Sequence, residues 1–284
     1  MILSMNVFSH RNGKPNVEEF LLMKEAGFRD LTMEFQDAKL LLRDDFEDIY
    51  KELKQELDAL GMTVSQTHLQ CYSFALGASV TKPEIDLAIE RSVIATALVG
   101  ASWGVLHPRT RYDAMSDRKL SIEDNIKLVA KLLPVAEKWN VGIAVENIPT
   151  WRDAPKNIHF GSYFEELIAV VDAFGGHPNL GICWDTGHAH LNPHCENQYE
   201  AIRQIGTRLK ATHIASNEGR YDDHLMPPAF GSVDCVALAA VLKEIGYDGT
   251  ICCELHGSEL PETALSYHKL SHACGQYIID LIQK

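Results

Sequence analysis

Eight short apolar runs, each followed by a stretch with helical spacing, pace the whole chain and limit what it can fold into. The runs cover residues 2–8, 31–35, 62–69, 103–107, 141–145, 180–184, 209–214 and 250–255. Helical faces lie between them. Val17, Phe20, Leu21 and Lys24 share one, ended by Gly27; Ile49, Leu53, Leu57 and Leu60 share another, ended by Gly61. Pro83 opens a third helix. Ser121-Ile122-Glu123-Asp124 reads as the capped start of a fourth, which runs to Trp139 with Pro134 as a kink or a break. Further helices are predicted over 163–174, 196–205, 236–245 and 261–282. No Pro- or Ser-rich linker intervenes, so the 284 residues read as one domain, a single (β/α)8 barrel of the α/β class. A doubly wound open sheet would also alternate, but eight evenly spaced units favour closure. The first strand–helix loop has no G-x-G-x-x-G and the chain has no P-loop, which argues against a dinucleotide or Walker-type site.

Charge narrows the partners. Lys and Arg number 26 against 39 Asp and Glu, a net charge of −13. That argues against general affinity for nucleic acid or an anionic membrane, although an acidic protein can carry a local basic face. The seven Cys include no C-x-x-C and read as small buried thiols, which fits a reducing compartment. The adjacent Cys252 and Cys253 should point to opposite faces of their strand. Residues 1–8 are too short and polar for a signal peptide, and no run is long enough for a membrane span. A cytoplasmic protein is expected, and a homo-oligomer is compatible with apolar barrel faces.

The strand ends carry the chemistry. Strand two ends near Glu34, three at His68, four at His107 and five at Glu146. Strand six ends at Asp185, with His188 just beyond; strand seven carries His213, then Asp222 and His224; strand eight ends at Glu254. In a barrel these ends ring one mouth. Carboxylates and imidazoles are costly to bury unpaired, and a divalent cation such as Zn²⁺ or Mn²⁺ would account for them together. Singly they say less. Glu34 reads equally well as a solvated loop carboxylate, and His68 and His107 could be hydrogen-bonded core residues. His10, His159, His177, His194, His268 and His272 are scattered over helices and loops and read as structural. Trp103, Trp151 and Trp184 could stack on a sugar ring, although Trp more often packs.

The strings Val145-Glu146-Asn147, Trp184-Asp185-Thr186-Gly187-His188, Thr212-His213-Ile214, Asp222-Asp223-His224 and Cys253-Glu254-Leu255 resemble the xylose-isomerase-like superfamily. One wing of it holds sugar isomerases and epimerases; the other holds abasic-site nucleases of the endonuclease IV type. The first likeness implies one divalent ion on Glu146, Asp185, His213 and Glu254. Glu146 and Glu254 would then move a proton beside a substrate carbonyl through a metal-stabilised enediolate. The second implies up to three ions, with His68 and His107 joining Glu146, and with His188, Asp222 and His224 forming a third set. Departures favour the sugar wing. His107-Pro108 is followed by Arg109, Glu146-Asn147 by Ile148-Pro149, and His224 by Leu225-Met226-Pro227-Pro228. The resemblance therefore implies a metal-dependent sugar or sugar-phosphate isomerase or epimerase, acting on a small molecule rather than nucleic acid. Glu34, Trp184 and Arg220 are its candidate substrate contacts, and a non-catalytic sugar-binding barrel is a further alternative.

Overall fold

The computed structural model describes residues 1–71, 81–112, 117–150, 158–257 and 261–284. Its strands are β1 Ile2–Phe8, β2 Asp30–Glu34, β3 Thr63–His68, β4 Trp103–Leu106, β5 Gly142–Glu146, β6 Leu180–Asp185, β7 Leu209–Ile214 and β8 Thr250–Cys253. All eight run parallel, each paired with its sequence neighbours, and β8 pairs β1 to close the barrel. Outside them lie α1 Val17–Ala26, α2 Ala38–Leu41, α3 Phe46–Leu60, α4 Lys82–Leu98 and α5 Arg118–Trp139. The series continues with α6 Phe164–Asp172, α7 Thr186–Leu191, α8 Gln198–Ile205, α9 Cys235–Glu244 and α10 Ala264–Gln283. The expected (β/α)8 barrel is the observed one. No helix among the described residues is long and apolar enough to cross a membrane.

Several element ends move from their expected places. α5 begins at Arg118 because Asp117 caps it, accepting from the Lys119 N–H, and it continues through Pro134 without a break. In α1 the buried face is Phe20, Met23 and Ala26, while Leu21 is 48% exposed. The last helix is a 3₁₀ turn over Pro261–Thr263 followed by α10.

Pleating sorts each strand into two environments. Along β5, Ile143 and Val145 join the large apolar layer between barrel and helices, with Leu167, Ile182, Trp184 and Ile214. Ala144 faces inward with Val105, Cys183 and Ala211 in a small interior cluster, against which Trp103 packs. Gly142 lies beside that indole, where an added Cβ would sit 2.2 Å from the ring. A large aromatic therefore fills the barrel floor, small residues fill the middle, and the polar side chains are left for the mouth. Trp103 and Trp184 both serve packing and neither lies at the mouth; Trp151 falls outside the described residues. The cysteines are free thiols, and Cys253 faces α10 beside Gly275 while Cys252 neighbours Thr32 and His213 inside the barrel.

Gly142→Ala should cost about 1–3 kcal/mol, because the indole cannot yield without leaving its slot. Urea unfolding followed by circular dichroism measures this, and an unchanged midpoint would contradict the layered floor.

Candidate metal centre at the barrel mouth

Register brings the strand-end residues together. Glu34 pairs with His68, Glu146 with Cys183, Asp185 with His213, and His213 with Cys252. Four ligand groups result, and within each the ligand atoms lie within 4.8 Å of one another. Glu146, Asp185, His213 and Glu254 form the central group; His68, His107 and Glu146 form a second; His188, Asp222 and His224 form a third; and Cys183, which sequence reading left among the buried thiols, forms a fourth with Glu146 and His213. All nine ligand candidates expected from sequence thus converge on one rim. Glu146 belongs to three of the four groups. Its Oε1 is 2.8 Å from His213 Nδ1, and its Oε2 is 3.0 Å from His107 Nε2. His213 Nδ1 is also 3.1 Å from Glu254 Oε2.

Imidazole orientation is informative. Nδ1 of His68 lies 3.0 Å from the Leu69 carbonyl, that of His188 lies 2.8 Å from the Asn147 carbonyl, and that of His224 lies 2.9 Å from the Glu254 carbonyl. A carbonyl oxygen only accepts, so each Nδ1 carries the proton and each Nε2 of a neutral ring presents a lone pair to the cluster. Nε2 of His68 and Nε2 of His107 then face each other at 3.0 Å. Two ring nitrogens at that distance need a proton or a cation between them. His188 and His224 both aim Nε2 at Asp222 Oδ2, at 3.2 and 3.3 Å. Asp185 Oδ2 and Asp222 Oδ1 are buried and have no hydrogen-bond partner among the described residues. Nitrogen and carboxylate donors, held from behind and with open acceptor atoms in front, fit Zn²⁺ or Mn²⁺.

Without an ion the protonation states are strained toward charge pairing. Burial penalises charge on Glu146, but the imidazoles of His213 and His107 outweigh it and hold the carboxyl well below its usual range. Burial likewise opposes charge on His107 and His224, yet the facing carboxylates keep both up at about 10. Asp185 goes the other way: burial pushes it up to about 7 despite the His188 imidazole.

A second tier of residues holds the rim. Asn147 Nδ2 donates to the Asp185 carbonyl at 2.9 Å, and its Oδ1 accepts from the Asp185 N–H at 2.6 Å. Thr186 Oγ1 donates to the Ala215 carbonyl at 2.6 Å, tying β6 to the end of β7. Asn6 donates to Glu34 at 2.6 Å and accepts from the Leu255 N–H at 2.9 Å, linking three strands. His224 sits at φ +45°, a left-handed backbone that His tolerates better than most residues. A composition-based reading overlooks Asn6, Asn147 and Thr186; their signal is an amide or hydroxyl placed where a strand has just ended.

Above the ligands opens a cavity of about 910 Å³, lined by Asn6, His10, Asn16, Glu18, Glu19, Glu34, Gln36, His68, His107, His188, Asp222, His224, Glu254, His256 and His268, among others. Glu34 is not a solvated loop carboxylate: it is buried, and Gln36 and Asn6 both donate to it. His10 and His268 also reach this cavity, because β1 and α10 flank the mouth. By contrast Arg220 is exposed and does not line the cavity. His177, His194 and His272 stay structural, against Glu137, Tyr163 and Phe28.

A closed parallel barrel with a His and carboxylate cluster at its carboxyl mouth defines the class, and residues 20–272 match the model of the xylose isomerase-like TIM barrel. The chain belongs to that family. It is 30% identical over 133 residues to the uncharacterized protein MJ1311 of Methanocaldococcus jannaschii, covering 47% of this chain and 43% of that one. It is 30% identical over 165 residues to a probable endonuclease 4 of Shouchella clausii, covering 54% and 50%. The match thus spans about half the length of these relatives or less. Among solved structures, a D-tagatose 3-epimerase-like protein superposes with a TM-score of 0.75 at 19% identity, covering 100% of this chain and 98% of that one. The IOLI protein with a binding zinc atom superposes at 0.70 and 19% identity, covering 100% and 98%. At these identities the structural likeness speaks for the fold.

Chelator treatment should lower the thermal midpoint, and added Zn²⁺ or Mn²⁺ should restore it, with the restoration lost in Asp185→Asn. Uptake should strengthen from about pH 6 to about pH 8 as Asp185, pushed up to about 7, loses its proton, and further toward about pH 10 as the His107 and His224 imidazoles lose theirs. A midpoint indifferent to chelator and metal would leave the cluster without its ion.

Proposed function

We propose that the protein is a divalent-metal-dependent isomerase or epimerase of a small sugar or sugar phosphate, working by proton transfer beside a carbonyl. The observation that carries this reading is the mouth itself. Inward-facing imidazole nitrogens and carboxylates meet under a cavity whose polar walls are amides, imidazoles and acids with Arg11 among them, groups that suit the hydroxyls of a small sugar. When bound, a divalent ion supplies Lewis-acid stabilisation of a developing oxyanion.

The chain's own residues divide the remaining work. Glu254 lines the cavity and is the carboxylate placed to take the proton. Glu146, although equally suited by sequence, is fully buried beneath and engaged by His213 and His107, so its part narrows to holding the ion. Glu34, fixed by Asn6 and Gln36 on another wall, is placed to return the proton. His107 and His188 reach the same space and can hydrogen-bond substrate oxygens.

A second reading, metal-dependent hydrolysis at an abasic site, is favoured by one feature: Glu146 is shared between the central group and the His68 and His107 group, and the group of His188, Asp222 and His224 adjoins them. Multinuclear centres of this kind suit displacement at phosphorus. Metal content per chain, measured with turnover of a ketose panel and incision of abasic duplex DNA, separates the two. One ion with ketose turnover supports the first reading; three ions with incision replace it.

Glu254→Gln should lower ketose turnover by roughly 10²–10⁴-fold while the fold is kept. A wild-type rate in that variant would remove Glu254 from the chemistry.

A further inference from the structure

A second recess lies away from the mouth, and its character is opposite. It holds about 550 Å³ and is lined by Lys82 of α4, Arg109, Arg111 and Tyr112 of the loop after β4, and Lys127 and Lys131 of α5. It shares no lining residue with the mouth cavity. Among the described residues, Asp124 is the one acid in its lining. Arg109 pairs with Asp86 at 2.5 Å, while Arg111 and Lys127 share Asp124 at 2.8 and 3.8 Å. Lys82 and Lys131 have no ion pair among the described residues. Among the described residues, five cations stand against two carboxylates here, on a chain whose net charge is −13.

The recess is built rather than incidental. Asn125, which is 1% exposed, accepts from the Arg109 N–H at 2.8 Å and donates to the Arg109 carbonyl at 2.8 Å. Ser121 Oγ accepts from the Arg111 N–H at 3.3 Å. Two buried contacts on α5 thus hold both guanidinium-bearing residues on one wall. Concentrating like charge costs free energy through repulsion, and a bound anion would relieve it. Planar guanidiniums beside mobile ammoniums suit phosphate oxygens, and the volume falls in the small-molecule range. The net charge of −13 over the whole chain disfavours a duplex.

We propose that this recess is a binding site for a small phosphate-bearing ligand carrying two or more negative charges. It is distinct from the barrel mouth and does not depend on which reaction the mouth performs. Tyr112, 72% exposed at the lip, offers a ring face to whatever the phosphate is attached to.

Isothermal titration calorimetry of the full chain at low ionic strength tests this with pyrophosphate and with ADP, and a short DNA duplex serves as a third arm. Saturable binding of pyrophosphate is expected, weakening as NaCl is raised. The double variant Lys127→Glu/Lys131→Glu should bind roughly tenfold more weakly or worse. Both lysines are exposed, so its thermal midpoint and metal content should match wild type; Lys131→Ala, with a smaller loss of affinity, serves if it does not. Tighter binding of ADP than of pyrophosphate would assign Tyr112 a contact with the base. Absence of saturable binding overturns the proposal. So does affinity unchanged in both variants, which would place the anion at the barrel mouth. Duplex binding tighter than either small anion, and lost in the same variant, would overturn it in favour of nucleic acid.

Discussion

The structure depends on compensating charge inside a closed ring of strands. Glu146, Asp185 and His213 are each fully buried, and Glu254 nearly so, all aimed at one volume. Removing such groups from water costs several kcal/mol per ion unless a counter-charge or hydrogen bond replaces the solvent. Burial and imidazole pairing compete for each carboxylate: burial wins at Asp185 and pushes it up, while the His213 and His107 imidazoles win at Glu146 and hold it down. A cation resolves that competition at once, and the orientation of the His68, His188 and His224 rings leaves their lone pairs turned toward it.

Holding that arrangement falls to side chains that continue the sheet after its backbone ladder ends. Asn147 reproduces a strand pairing with Asp185 by donating and accepting in turn. Asn6 does the same between Glu34 and the chain after β8, and Thr186 ties β6 to β7. The packed floor beneath, with Trp103 over Gly142 and a layer of small residues above it, fixes the strands against which the rim is referenced. Rigidity at the floor and amide bridges at the rim together keep the ligand atoms within reach of one another.

Electrostatically the molecule has two faces of interest. The mouth gathers acids and imidazoles, with Arg11 in its lining. The recess behind the β4 loop gathers Lys and Arg. Arg109 lies only two residues from His107, so one short loop carries a cation of the recess and a member of the metal cluster.

Much of this was legible in the chain alone. The period of apolar runs gave eight βα units, and the polar residue closing each run gave the ligand candidates, because side-chain direction in a strand follows parity. Charge composition, however, averages over the surface and hides a basic recess assembled from α4, α5 and one loop. Helix periodicity placed Leu21 on the inner face of α1, but packing selected Phe20, Met23 and Ala26. Trp184 alternates to the outer layer while its neighbour Asp185 turns inward. Sequence by itself determined the barrel and the ligand candidates at the strand ends, since local periodicity encodes both, while His188, Asp222 and His224, which lie beyond their strands, were marked by the family strings. Only tertiary structure decided that Glu146 is sealed below while Glu254 and Glu34 face the cavity, and that His10 and His268 join it, because depth and convergence arise from closure of the sheet and have no local signature.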